Sequence, residues 1–346
     1  MSNKLSIAWI PPSRNLTSAS FRLRVTEIMK GLRDRGHICS FYGESADPDV
    51  LVVSKKYDLE TQTAMELFRT KNRKGIIIFD LCDNHFYTDS QSLRELQDHE
   101  ARVKLLQRAL LRADAVTTSS EYLARAVVDH AGIDPQSIFT IDDCYETIEK
   151  SSRPYGFLNL LAEIRFRRLK RRLNRANKPT DRFVWFGTHG VSYAEGGMFD
   201  LLARCDMIAD TFRESNRSLT IISNSHKKYR EVSKALNIQT HYLPWNQHTI
   251  GRALRLHTFL LLPIKASPFT SSKSTNRPIT AMLNKLLVVC DLIPSYEKLR
   301  EYLISPIEPR SLLYALSMSE EERTQHIKTA IAHVHQEYSI AHITER

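Results

Sequence analysis

Short apolar runs alternate along this chain with longer stretches whose apolar positions recur every three or four residues. The first kind reads as buried strands and the second as amphipathic helices. In the first half, strands are predicted over Leu5–Ile10, Ile38–Tyr42, Val50–Ser54, Gly75–Leu81, Ala115–Ser119 and Ser137–Ile141. Helices are predicted over about Phe21–Arg35, Leu59–Arg73, Gln91–Arg112 and Glu121–Ala131, with Gly36 where a glycine commonly follows a helix end. The second half repeats the scheme. Its strands are Phe183–Phe186, Leu219–Ser223, Thr240–Leu243, Phe259–Pro263 and Leu286–Cys290, and its helices lie near Met198–Glu214, Lys227–Leu236, Gln247–Leu254 and Pro278–Leu283. A last helix covers about Ser319–Tyr338, where Ser319 and Glu322 have the capping-box spacing. Continuous apolar strands alternating with helices predict parallel sheets covered on both faces. The expected fold class is therefore α/β with two parallel-sheet domains.

Between the halves, apolar residues at 158, 161, 162, 166, 169 and 173 keep helical spacing, and arginines stand at 165, 167, 168, 171 and 172. This predicts a basic amphipathic helix. It is read either as a solvated connecting helix or as a surface for an anionic membrane, with nucleic acid as a third partner. Length and composition support this organisation. A chain of 346 residues can bury two cores, and 42% hydrophobic with 25% charged residues fits a folded protein. No apolar run approaches the ~20 residues that span a bilayer, and no signal-peptide pattern is seen, so a cytoplasmic protein is expected, with membrane association through residues 157–175. Five cysteines without a CxxC pair read as reduced core thiols. The net charge of +10 favours anionic partners.

The candidate chemistry follows strand ends. Ser271–Pro278 is a polar loop after the strand at Phe259–Pro263, and a helix is expected to open at Ile279. Hydroxyls and cations at a helix N-terminus suit a phosphate or diphosphate. Ser272, Lys273, Ser274, Asn276 and Arg277 are the candidates there. Gly187, Thr188 and His189 follow the first strand of the second half, and glycines let backbone approach a ligand closely. The loop lacks GxGxxG, so a dinucleotide is a poor fit. Asp83 and His85 end another strand and are candidates for polar contacts or proton transfer at a reacting centre. Asp47-Pro48-Asp49 precedes its strand, at the wrong end for a metal site, and Asp142-Asp143 is weak. No zinc spacing and no P-loop is found, so no metal or other cofactor is expected.

The order and spacing of several pieces resemble a GT-B glycosyltransferase, closest to the large retaining bacterial family (glycosyltransferase family 4-like). These pieces are Ser18-Ala-Ser-Phe-Arg22-Leu-Arg24, Leu32-Arg-Asp-Arg-Gly36-His37, Asp114-Ala-Val-Thr-Thr-Ser-Ser120, Phe183-Val-Trp-Phe-Gly187 and Ser272-Lys273-Ser274-Thr275-Asn276-Arg277. The resemblance implies two Rossmann-like domains facing a cleft, with the C-terminal helix crossing back to the first domain. The divisions expected are 1–150 for an acceptor domain, 151–181 for the basic linker helix, 182–318 for a nucleotide-sugar domain and 319–346 for the C-terminal helix. It also implies that Ser18, Ser20, Arg22 and Arg24 form a loop near the acceptor or a phosphate. The activity implied is metal-independent sugar transfer from a nucleotide-sugar substrate to a glycan, lipid-linked or other acceptor, with retained configuration. The family's pair of glutamates seven residues apart is absent, and so is a lysine between Gly187 and Gly197. The alternatives are therefore a sugar-nucleotide or glycan-binding protein without catalysis, a DNA-modifying glycosyltransferase, or a sugar-nucleotide epimerase.

Overall fold

The computed structural model describes residues 4–44, 47–146, 157–176, 182–188, 190, 193–214 and 217–346. The chain divides into two compact units. Unit 1 is Met1–Glu146 with Ser267–Thr275 and Glu337–Arg346, and unit 2 is Thr147–Ala266 with Asn276–Gln336.

Unit 1 holds β1 (Ser6–Ile10), β2 (Ile38–Phe41), β3 (Val50–Ser54), β4 (Ile76–Leu81), β5 (Ala115–Thr118) and β6 (Ile138–Thr140). They form one parallel sheet in the order β2-β1-β3-β4-β5-β6. Strand order reverses at β1 and β3, and ligands of such sheets bind beyond the strand C-termini at that switch point. Two apolar clusters account for the buried strands. Leu51, Val53, Phe79 and Leu81 pack with Met65 and Phe68 of α3 (Leu59–Lys71), Leu106 and Leu110 of α4 (Leu93–Leu111) and Val127 of α5 (Glu121–Ala131). Ile7 and Trp9 pack with Phe21, Val25 and Met29 in the other cluster.

The helix expected over Phe21–Arg35 opens two residues earlier and is not uniform. It runs as α1 (Ala19–Phe21), a π-helical turn at Arg22–Thr26, and α2 (Glu27–Asp34), and Gly36 follows with φ +92°. Such wide turns inside helices are common near functional sites.

Unit 2 holds α6 (Phe157–Ala176), β7 (Arg182–Phe186), α7 (Cys205–Glu214), β8 (Ser218–Ser223), α8 (His226–Leu236), β9 (Gln239–Pro244), α9 (Ile250–Leu254) and β10 (Phe259–Leu262). A short helix α10 (Pro268–Ser271) follows in the segment that belongs to unit 1, and α11 (Asn276–Leu283), β11 (Leu287–Cys290), β12 (Leu303–Ile304), α12 (Pro309–Ser317) and α13 (Glu320–Glu337) return to unit 2. The sheet is parallel in the order β12-β11-β10-β7-β8-β9, with its switch point between β7 and β10. The helix expected over Met198–Glu214 begins as a 3-10 turn at Gly197–Arg204. β12, two residues long, carries no signal in the pattern. At the start of α13 the expected capping box forms, with Glu322 accepting from the Ser319 N–H at 2.7 Å and Ser319 Oγ accepting from the Glu322 N–H at 3.2 Å.

α6 packs along Ala162, Phe166, Leu169 and Leu173, the stripe expected from its sequence, and lies against β9. Arg182 donates to Leu173 O at 3.2 Å, which ties the helix to the first residue of β7. No described helix is long and apolar enough to cross a membrane.

The last helix, α14 (Ile340–Ile343), packs on α2 inside unit 1. The approach is close because residue 31 is glycine. A Cβ there would stand 2.6 Å from Thr344 Cγ2 and 2.8 Å from Ile340 Cγ1. Gly31→Val is expected to displace α14 while leaving the sheet intact. Hydrogen exchange should then accelerate at 340–344 and stay unchanged in β3 and β4.

Candidate functional site

In unit 1 the C-terminal ends of β3 and β4 gather charge. Lys55 follows β3 in the left-handed conformation, φ +54°, and its N–H donates to Asp80 O at 2.8 Å. A non-glycine residue held in that region stores roughly 1 kcal/mol or more. Its ammonium and that of Lys273 both donate to the Asp83 carboxylate. Lys273 also stands 3.8 Å over the Phe269 ring. The three side chains are partly exposed, at 20% for Lys55, 17% for Asp83 and 29% for Lys273.

Burial alone would raise the Asp83 carboxyl, but Lys273 and Lys55 outweigh it and hold the group far below the usual carboxylate range. His85 responds the other way. Burial, then the Lys55 charge, lowers its pKa to about 3, with Asp83 as the opposing influence. Its Nδ1 lies 2.9 Å from the Tyr57 hydroxyl. Asp83 is thus an ionised acceptor and His85 a neutral imidazole at physiological pH.

The first loop behaves differently from what its resemblance implies. Arg24 is 7% exposed and donates to Asp80 Oδ1 at 3.0 Å and to Ile141 O at 2.5 Å, with Asp143 at 3.3 Å. Asp80 in turn accepts from Ser54 and Thr117, at 3.0 and 2.9 Å. Arg22 is 6% exposed, ion-paired with Glu146, and donates to Leu16 O at 2.7 Å. Both arginines are consumed in the interior of unit 1, so they brace the loop and do not present charge to a phosphate. Ser18 and Ser20 are half-buried with hydroxyls 2.9 Å apart.

The polar loop at 271–278 also needs correcting. α10 precedes it and α11 opens at Asn276, not Ile279. Pro278 is the reason the expected boundary was late. Within a first turn its missing N–H costs no helical bond. The loop further splits between the units after Thr275. Ser272 is fully buried and its hydroxyl donates to Pro268 O at 2.7 Å, while its carbonyl accepts from Ser120 at 3.0 Å, so it is not a donor to any ligand. Ser274 donates to Asp143 at 2.6 Å. Lys273 joins Asp83 in unit 1, whereas Asn276 and Arg277 begin α11 in unit 2.

In unit 2 the loop after β7 lies at the switch point. A Cβ on Gly187 would stand 3.1 Å from the Trp185 ring and 3.4 Å from Arg277 Nη1, so bare backbone here faces a guanidinium. Gly190 and Gly197 have φ of +103° and +72°, and a Cβ on Gly197 would meet Gly190 N at 2.7 Å and Thr188 O at 2.8 Å. The two glycine stretches therefore close on each other with no room for side chains. Thr188 is exposed; His189 lies outside the described residues. Arg277 Nη1 is buried and, among the described residues, has no hydrogen-bond partner.

Asp200 and Tyr296, both buried, surround Arg277. Burial pushes the Asp200 carboxyl up, and Arg277 with the N–H groups of Lys265 and Gly197 pulls it back. Burial likewise raises the Tyr296 phenol against the Arg277 charge. Lys55, Asp200 and Tyr296 were not singled out from sequence. Lys55 had one available signal, its place directly after a buried strand. The other two become neighbours of Arg277 only through the fold.

The low pKa of His85 has a consequence for acid stability. The unfolded chain takes up a proton below about pH 6.5 that folded His85 refuses until about pH 3, so unit 1 should lose stability as pH falls through that window. The His85 ring signals should stay unchanged from pH 8 to pH 5 in NMR, and His85→Gln should flatten this part of the pH–stability curve. An inflection near 6.5 would contradict the environment described.

No family model matches the sequence, and no curated protein matches it. Solved structures do match. A glycosyltransferase from Rickettsia africae ESF-5 is 10% identical with a TM-score of 0.63, over 99% of this chain and 96% of that one. HepE of Anabaena in complex with UDP is 13% identical with a TM-score of 0.62, over 99% and 98%. An alpha-glucosyltransferase in complex with UDP-glucose and DNA containing an abasic site is 9% identical with a TM-score of 0.64, over 99% and 98%. At these identities the likeness is one of fold, and with the two six-stranded parallel sheets it makes this a two-domain, Rossmann-like GT-B chain.

Proposed function

We propose that this chain is a glycosyltransferase that uses a nucleotide-activated sugar, with the donor diphosphate held in unit 2 by Arg277, Asn276, Gly187 and Thr188. The observation that carries the reading is the Arg277 guanidinium set against bare Gly187 backbone at the β7–β10 switch point, with Nη1 buried and without a hydrogen bond among the described residues. A departing nucleoside diphosphate develops negative charge, and a preset cation beside a helix N-terminus stabilises that charge where it forms. The solved structures of this fold that hold UDP or UDP-glucose favour a uridine nucleotide as the first donor to try. Unit 1 takes the acceptor in this reading. Ionised Asp83 accepts hydrogen bonds from its hydroxyls, and His85, neutral and paired with Tyr57, lies nearby. Ser18 and Ser20 extend the acceptor loop. Retention of configuration is what the family resemblance implies.

Arg277→Ala should weaken UDP binding about ten-fold or more, since a charge-assisted contact is lost. Calorimetry giving equal UDP affinity for both proteins would remove the donor assignment. UDP-sugar binding without hydrolysis or transfer, over a range of acceptors, would favour the non-catalytic alternative.

The outer face of α6 supports a second element of the reading, an anionic surface as partner. It exposes Arg165, Arg167, Arg168, Lys170, Arg171, Arg172 and Arg175, and Leu160 and Ile164 are 50% and 39% exposed one turn before the main arginine cluster. Exposed aliphatics beside arginines fit an interfacial helix on anionic lipid, where each cation contributes about 1 kcal/mol. Neutralising Arg168, Arg171, Arg172 and Arg175 together should lower binding to anionic liposomes and leave turnover in solution unchanged. Equal liposome binding would reject the membrane role, and salt-sensitive DNA binding lost in the same variant would replace it with the nucleic-acid partner.

A further inference from the structure

Asp200 joins both halves of the proposed donor corner, although its side chain does not reach the surface. It stands in the 3-10 turn Gly197–Arg204, is 2% exposed, and belongs with Arg277 and Tyr296 to unit 2. Its Oδ1 accepts from the Lys265 N–H at 3.2 Å, just beyond β10. The Gly197 N–H also favours its ionised form. Gly197 is the residue that seats against Thr188 O and Gly190 N, next to the Gly187 backbone that faces Arg277. Asp200 thus borders the glycine loop on one side and carries the charge opposed to the donor guanidinium on the other.

Its second oxygen is poorly supported. Oδ2 is buried and, among the described residues, has no hydrogen-bond partner. An ionised carboxylate accepts through both oxygens, whereas a protonated one carries an O–H. Leaving a buried acceptor without a donor costs about 1–3 kcal/mol, and more when it is charged. Among the influences that favour the ionised form, Arg277 comes first. The other groups around it add little. Asp291, after β11, opposes ionisation and is itself taken by Arg204 at 3.0 Å and by the N–H groups of Ile264 and Ile307. Burial keeps the Tyr296 phenol neutral, and the Lys265 ammonium pairs with Glu195 at 2.5 Å, both largely exposed.

We propose that Asp200 is the resident counter-ion of Arg277 and takes up a proton from solvent when the donor diphosphate docks on that guanidinium. This rests on the assignment of the donor to unit 2 and makes donor binding proton-linked. The diphosphate brings negative charge to the cation that keeps Asp200 ionised, and a like charge nearby disfavours a carboxylate. The proton goes to the carboxyl, and Arg277 then serves the phosphate oxygens alone. The sign follows. Asp200 is already raised in the free chain and is raised further in the complex, so donor affinity increases as pH falls through the interval between those two pKa values and levels off below it.

UDP-glucose is the probe, because its diphosphate has no oxygen that titrates near neutral pH, whereas the terminal phosphate of UDP does, at about 6. Calorimetry in buffers of different ionisation enthalpy reads the protons taken up. The unaltered chain should take up protons on binding, and its affinity should rise about three-fold or more from about pH 8 to about pH 6. Asp200→Asn keeps an acceptor oxygen for the Lys265 N–H and should bind without proton uptake and without this pH dependence. Should that variant fail to fold, the NMR carboxyl signal of Asp200 in the unaltered chain decides. Its titration midpoint should move up when UDP-glucose saturates the chain, and up also in ligand-free Arg277→Ala. Binding without proton uptake, uptake that persists in Asp200→Asn, or a midpoint that neither change moves overturns the proposal. The donor reading is judged separately, by whether UDP-glucose binds at one fixed pH and binds more weakly to Arg277→Ala. If UDP-glucose does not bind, that reading falls, and an Asp200 midpoint unmoved by Arg277→Ala then overturns this one as well.

Discussion

A cation buried near a strand end must be balanced, and the way each is balanced sorts the candidate residues of this protein. Arg24 is fully used, spread over Asp80, Asp143 and a backbone carbonyl, and Arg22 is taken by Glu146 and Leu16 O. These pairs set the first loop and the π turn of unit 1. Removing one member would strand a buried charge, the case in which breaking an ion pair costs about 3–5 kcal/mol. Lys55 and Lys273 converge on one carboxylate, that of Asp83. Arg277 Nη1 lies buried beside bare backbone, with no hydrogen bond among the described residues. The proposed donor site goes with Arg277, where a guest anion improves the balance.

The same distinction explains how the fold and the site divide the work. The sheets are fixed by continuous apolar strands such as Phe259–Leu262 and Leu287–Cys290, which many sequences can supply. That is why solved structures at 9–13% identity share the fold at TM-scores above 0.6. The close approach of Gly187, Gly190 and Gly197 and the surroundings of Arg277 follow from contacts that composition does not record.

Much of the architecture was legible. The alternation of runs located the strands of both sheets other than β12, the stripe at 162, 166, 169 and 173 located α6, and Ser319 with Glu322 located the start of α13. What was hidden depended on long-range packing. Pro278 reads as a boundary until the helix is seen to begin two residues before it. Arg24 reads as a cation for an acceptor or phosphate because its partners, Asp80 and Asp143, lie 56 and 119 residues away. Segment 267–275 is placed by contacts to Asp83, Ser120 and Asp143 in unit 1, none of them close in sequence. Of the candidate site, Asp83, His85, Lys273, Gly187 and Arg277 were visible as residue types after strands, whereas their grouping into two sets was not.

The account stands on the donor corner of unit 2, and the structure of the chain with UDP bound tests it most directly. It predicts diphosphate oxygens within about 3 Å of the Arg277 guanidinium and of the backbone at Gly187–Thr188. Diphosphate density against Lys55 and Lys273 in unit 1, or at a site that Arg277 does not touch, would contradict it.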